Sequence, residues 1–208
     1  MATADRSKQA ALMTMRRTFL TLSVLLVLAT RAPAPAMAAD WDVGRLMQAL
    51  AQQRGGSVSF VEKKYLAILD RPVESSGVLS YSPPDRLEKR TLLPKPESLV
   101  LNGNQLVAER GKQRVTLQLQ QYPEISAVVG GIRQTLSGDL GALERDYRVV
   151  LRGGPESWVL TLLPSDPRIA AIVLRIEISG SGSSLRQIEM LQADGDRSVM
   201  IIGSANSK

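Results

Sequence analysis

Ser98-Leu99-Val100-Leu101-Asn102-Gly103-Asn104-Gln105-Leu106-Val107-Ala108-Glu109 decides the fold. Apolar runs at Ser98–Leu101 and Gln105–Glu109 flank Asn-Gly, the dipeptide that best tolerates the two positive-φ positions of a tight hairpin turn. The pattern spreads outward from there. Upstream, Arg86 to Leu93 alternates Leu87, Lys89, Thr91 and Leu93 against Glu88, Arg90 and Leu92, and Gly77 to Tyr81 forms a strand stopped by Pro83-Pro84. Before that, Val58 and Phe60 open one long strand reaching Leu69, turned by Asp70-Arg71-Pro72. Downstream, Arg110-Gly111-Lys112 turns the chain into Val115, Leu117 and Leu119, spaced by glutamines.

The C-terminal part repeats the period of two. Arg148–Arg152 and Ser157–Leu163 meet at Gly153-Gly154, and Pro164–Ile169 reads as a loop or a single helical turn. Ile172, Leu174, Ile176 and Ile178 alternate with polar positions, and Gly180–Ser184 is a turn. Leu185–Gln192 and Ser198–Ile202 flank Asp194-Gly195, a second hairpin signal. Asp194-Gly195-Asp196 lacks the further oxygen ligands of a calcium loop and reads as that turn.

Two regions depart from this period. Trp41 to Arg54 carries Trp41, Leu46, Met47 and Leu50 at helical spacing, stopped by Gly55-Gly56. Within residues 123–146, Ile125, Val128, Val129, Ile132 and Leu136 form a helical stripe interrupted by Gly138, with Leu140–Arg145 as a short second helix. About ten or eleven strands with one apolar face make an antiparallel sheet buried on one side, and the helical segments must cover that side. So long a sheet curls under its own twist. The expected architecture is mainly β: a curved antiparallel sheet, or incomplete β-barrel, with a helical lid. Neither repeats nor a linker divide residues 39–208, which read as one domain.

The N-terminus reads as an export address. Arg16-Arg17, an 11-residue apolar run from Phe19 to Ala29 and Ala36-Met37-Ala38 have the layout of a secretory signal peptide over residues 1–38, cleaved between Ala38 and Ala39. The run falls short of the roughly 20 residues that span a bilayer. Arg16-Arg17 also resembles a twin-arginine signal, with the general secretory route favoured. Met15 is a second candidate start, which would make residues 1–14 an artefact. Residues 1–38 hold five basic side chains and one acidic one, so 21 of the chain's 26 Lys and Arg and 19 of its 20 Asp and Glu remain in the mature chain, a net charge of +2. That balance argues against a nucleic-acid partner.

The chain has no His and no Cys. Ser-His-Asp and Cys-His nucleophiles are therefore excluded, and zinc and haem lose their usual ligands. No cofactor is implied. Two short helices cannot fill the concave face of so long a sheet, and the space left is an apolar cavity. Each CH₂ moved from water into such a space gains about 0.8 kcal/mol, so it can hold acyl chains. The expected ligand-binding wall is Val58 and Phe60, Leu79 and Tyr81, Leu87, Leu99 and Leu101, then Val115, Leu117 and Leu119, with Trp158 from the C-terminal part. Ile125, Val128, Val129, Ile132 and Leu136 form the expected lid, where Gly130-Gly131 fits a mobile helix. Lys63-Lys64 and Lys89-Arg90 read as a solvated sheet face, with lipid headgroups or an acidic partner as the alternative.

These segments carry a resemblance. Gly77 to Lys89 (Gly-Val-Leu-Ser-Tyr-Ser-Pro-Pro-Asp-Arg-Leu-Glu-Lys) resembles the Gly-initiated strand, Pro turn and Arg-led strand of LolA-type lipoprotein carriers. Ser98 to Leu106 resembles their next hairpin, and Leu162-Leu163-Pro164-Ser165-Asp166 their later Leu-x-Pro segment, so that residues 41–203 are covered in order. A divergent member of that family is implied. The resemblance implies a monomeric, non-enzymatic periplasmic protein. It would take up an acylated lipid or lipoprotein from an inner-membrane donor and pass it to an outer-membrane acceptor. An adaptor binding an envelope protein through a sheet edge is the alternative, and a hydrolase using paired carboxylates ranks third.

Overall fold

Period-two alternation through residues 56–118 and 147–205 builds eleven antiparallel strands in the computed structural model, which describes residues 41–205. They are β1 Gly56–Tyr65, β2 Val73–Ser82, β3 Arg86–Leu93, β4 Glu97–Asn102, β5 Gln105–Arg110 and β6 Gln113–Gln118. After the helical segment come β7 Tyr147–Gly154, β8 Ser157–Pro164, β9 Val173–Ser181, β10 Ser184–Gln192 and β11 Arg197–Ala205. The helices are α1 Val43–Ala51, α2 Pro123–Ser137, α3 Leu140–Asp146 and α4 Pro167–Ala170. The expected signal peptide, with its expected cleavage after Ala38, and residues 206–208 lie outside the described residues. Among the described residues no helix is long and apolar enough to cross a membrane.

Several boundaries shift for local reasons. β1 stops at Tyr65, before Leu69, because the Leu69 N–H donates to the Leu66 carbonyl (2.9 Å) in a turn and Asp196 Oδ1 accepts from the Ala67 N–H (2.8 Å). Leu119 leaves the sheet for a 3₁₀ turn, Leu119–Gln121. Asp42 caps α1, its carboxylate accepting from Arg45 N–H at 2.9 Å. Gly138 ends α2 in the left-handed region at φ 69°, as a C-terminal cap requires.

The strands form one sheet in the order β6-β5-β4-β3-β2-β1-β11-β10-β9-β8-β7. The first and last strands of the chain pair in the middle, and the sheet stays open between β6 and β7. Those two edge strands are consecutive in sequence. The segment joining them, residues 119–146, therefore runs from one edge to the other, which lays α2 and α3 across the concave face. The register stacks side chains in rows on that face: Tyr81, Leu87, Leu101, Leu106 and Leu117 in one, and Val58, Leu79, Lys89, Leu99, Ala108 and Val115 in the next.

The two halves of the sheet are filled differently. On the β7–β9 side, Trp158, Leu160, Leu162, Ile176 and Ile178 pack against Leu46, Met47 and Leu50 of α1 and Leu143 of α3, all essentially buried. α2 sits close on this side. Gly131 approaches Tyr147, whose hydroxyl donates to the Ala127 carbonyl. Burial pushes the Tyr147 phenol well above its ordinary value, so it stays a protonated donor.

Candidate functional site: an apolar cavity under helix α2

The β1–β6 half is not filled. Between its concave face and α2 lies a cavity of about 1010 Å³, at the upper end of the roughly 300–1,000 Å³ typical of small-molecule pockets. Its sheet wall uses Val58, Leu79, Tyr81, Leu87, Leu99 and Leu101, six of the residues expected from sequence. Ile125, Val128, Val129, Ile132 and Leu136 of α2 close it from the other side. All five are half-buried, and Val128 also packs against the core of the β7–β9 half. α2 is tied to this half through Arg133, whose Nη1 donates to the Gly103 carbonyl in the β4–β5 turn at 2.8 Å.

Five expected wall residues do not line the cavity. Trp158 is on the concave face but in the packed half, 1 % exposed, with Nε1 donating to the Gly182 carbonyl at 2.9 Å. Val115 and Leu117 are on the correct face but on edge strand β6, beyond the cover of α2, and Val115 is 51 % exposed. Leu119 is buried in the 3₁₀ turn. Phe60 is buried on the concave face opposite Gly77 and under the side chain of Lys89, which separates it from the open space. The Gly130-Gly131 pair also has a packing role at its second position. A Cβ at Gly131 would lie 3.0 Å from Tyr147 Oη and 3.3 Å from Leu162 Cδ1, so glycine there permits close approach of helix to sheet.

The structure adds wall residues that the pattern of single strands does not reveal. Leu106 completes the hairpin, and Ile188, Met190, Met200 and Ile202 come from β10 and β11. Their signal was the pairing of β1 with β11, which brings the chain's last strand beside its first. Methionine suits a wall that must adapt to variable contents.

Several polar side chains also line this wall, and Glu62 is the most deeply buried of the charged ones. Glu62, 4 % exposed, forms an ion pair with Lys89, and accepts from Ser198 Oγ at 2.7 Å and Ser75 Oγ at 3.3 Å. Burial alone would raise the Glu62 pKa. The hydrogen bond and charge of Lys89, with Ser198 and Lys64, outweigh it and hold the carboxyl below its ordinary value. The ammonium of Lys89 lies 5.1 Å from the centre of the Phe60 ring, within cation–π range. Lys63 forms an exposed pair with Glu74 (2.9 Å), and Lys64 and Arg90 are exposed too, as a solvated face implies. Lys89 is the exception, because it shares a face with Leu87. Asp194 and Asp196 are engaged in the β10–β11 turn, Asp194 Oδ1 accepting from the Asp196 N–H at 3.0 Å.

The sequence profile of the family described as outer membrane lipoprotein carrier protein LolA-like matches residues 33–208. The chain belongs to this LolA-like family. No curated protein sequence matches it. Among solved structures, a LolA superfamily protein from Nitrosomonas europaea is similar at 10% identity and TM-score 0.41, over 76% of this chain and 90% of that one. A putative outer membrane lipoprotein-sorting protein domain from Vibrio parahaemolyticus is similar at 9% identity and TM-score 0.42, over 78% and 89%. The MucA/MucB complex of Pseudomonas aeruginosa is similar at 13% identity and TM-score 0.39, over 80% of this chain and 57% of that one. The open eleven-stranded antiparallel sheet with its helices agrees with the architecture expected from sequence.

Proposed function

We propose that this LolA-like protein is a periplasmic carrier. It holds the acyl chains of a lipoprotein, or of another acylated lipid, in the cavity under α2 and ferries them from an inner-membrane donor toward an outer-membrane acceptor. The observation that carries this reading is the cavity itself: about 1010 Å³, walled mainly by aliphatic side chains of β1–β5, β10, β11 and α2. An apolar space of that size, walled chiefly by aliphatic side chains, gains free energy when it takes up hydrocarbon and little when it takes up water. Aliphatic walls bind by area removed from water and not by directed contacts, which suits a cargo that must later be released. α2 is the lid in this reading, and Val58, Leu79, Tyr81, Leu87, Leu99 and Leu101 are the binding wall.

The test is native mass spectrometry of the protein purified from the envelope of its own host, followed by lipid extraction. A co-purifying acylated species supports the carrier, and its mass distinguishes lipoprotein from free lipid. Protein that is empty and also fails to bind a fluorescent acyl probe would sink this reading, and would favour an adaptor using the open β6 or β7 edge.

A further inference from the structure

The cavity wall contains a charge pair that acyl-chain binding does not require. In the cross-strand row Val58, Leu79, Lys89, Leu99 and Ala108, position 89 carries the only charged side chain. Lys89 reaches from β3 over the Phe60 ring to Glu62 on β1, and both charged residues line the cavity. A buried ion pair is a poor way to gain stability, since apolar residues of similar volume often do as well or better. Glu62 is already satisfied by Lys89, Ser75 and Ser198. Lys89 is not. Its ammonium has three donors, of which the hydrogen bond to Glu62 uses one, and its side chain keeps 21 % exposure on the cavity side.

Resting on the carrier reading above, we infer that Lys89, held in place by Glu62, is an anchor for the carbonyl end of a bound acyl chain, donating to the ester or carboxylate oxygen while the hydrocarbon lies along the leucines. Because the Glu62–Lys89 pair is neutral as a unit, it accommodates an uncharged ester as well as a carboxylate. The anchor gives the cavity a polarity. It fixes one end of the chain on the β1–β3 side and makes the site selective for acyl compounds over plain hydrocarbon.

Displacement of the neutral fluorophore N-phenyl-1-naphthylamine by methyl palmitate, palmitate and heptadecane, each delivered from cyclodextrin, tests this on the full exported protein. Methyl palmitate is expected to displace the fluorophore at about tenfold lower concentration than heptadecane, the effect of one hydrogen bond from a charged donor. Lys89→Met should abolish that preference and leave heptadecane unchanged. Because Lys89→Met strands the Glu62 carboxylate, the double variant Glu62→Leu/Lys89→Met serves as the second test. It should remain folded, by its melting curve, and show the same loss of preference. A further tenfold advantage of palmitate over its ester, lost in Lys89→Met, would assign the anchor to free fatty acid rather than esterified chains. Equal displacement by ester and hydrocarbon in the wild type, or equal weakening of both in the variants, would overturn the anchor and leave the carrier reading standing. Failure of the wild type to bind the fluorophore or any of the three ligands would overturn both.

Discussion

The β7–β9 half of the sheet and the β1–β6 half are built from the same alternating leucines and valines, yet one is a core and the other a cavity wall. Leu160 on β8 and Leu99 on β4 each face the concave side. Leu160 is fully buried against α1 and α3, whereas Leu99 is half-buried and faces empty space. What separates them is the path of the helices. α1, α3 and the close-packed side of α2 gather on the β7–β9 half, and the β1–β6 half is left with the outer stripe of one helix.

The sharpest way to break this comparison is to make one chemical change in each half. Leu160→Ala removes contacts on all sides and leaves a cavity, so it should cost about 3 kcal/mol or more. Leu99→Ala enlarges a space that is already there and should cost about 1 kcal/mol, the partial transfer term alone. Urea denaturation of the protein freed of bound lipid measures both. Equal costs would mean that the β1–β6 half is packed as tightly as the other.

The adjacent glycines of α2 sharpen the comparison within one helix. At Gly131 a Cβ would press on Tyr147, which its hydrogen bond to Ala127 prevents from moving aside. Gly131→Ala should therefore lose about 1–2 kcal/mol through overpacking. At Gly130 the nearest atom is Gln134 Nε2 at 4.0 Å, so Gly130→Ala should gain about 0.5–1 kcal/mol of helix propensity. Thermal melts of the two variants should move in opposite directions. Shifts of the same sign would show that α2 does not seat on Tyr147 as described.

These differences explain what the sequence could and could not reveal. Period-two alternation locates strands to within a few residues and assigns each side chain a face, so Val58, Leu79, Leu87 and Leu99 were legible as concave positions. It even placed Lys89 with Leu87. It does not say how far a strand lies from the sheet edge, which is why Val115 and Leu117 have the correct face but stand outside the cavity. Nor does it say which half the helices fill, which is why Trp158 belongs to the core. Met190 and Met200 could enter the wall only through the pairing of β1 with β11, a contact between segments more than a hundred residues apart. Nothing in a single strand's pattern carries that.

Glu62 gives the open half a pH dependence in the acid range. The groups facing it are Lys89 on β3, Lys64 on its own strand, Ser75 on β2 and Ser198 on β11. Its folded pKa lies below the ordinary 4.5, so between the two values the unfolded chain binds more protons. The stabilisation is complete above about pH 4.5 and is lost as pH falls through the folded value. Wild type should thus lose stability on acidification more steeply than Glu62→Gln, as read from melting temperatures across pH 3–6. Parallel slopes would place the acid sensitivity elsewhere.

A further small effect concerns how α2 is held on each side. Toward β7 it is seated by Gly131 against Tyr147 and Leu162; toward β4 the described hydrogen bond is that of Arg133 to the Gly103 carbonyl. Arg133→Ala removes a charge-assisted bond on a half-buried site and should cost only about 1 kcal/mol overall. Local opening, however, draws on the least stable contacts first, and here those lie along the cavity. Hydrogen exchange should therefore accelerate in α2 and in the β4–β5 turn while α1 and β8 keep their protection. If α2 is the lid, the variant also exchanges bound acyl probe faster at nearly unchanged melting temperature. Uniform acceleration across α2 and β8 would mean that helix and packed core open as one unit, and the open half could not be gated independently of the fold.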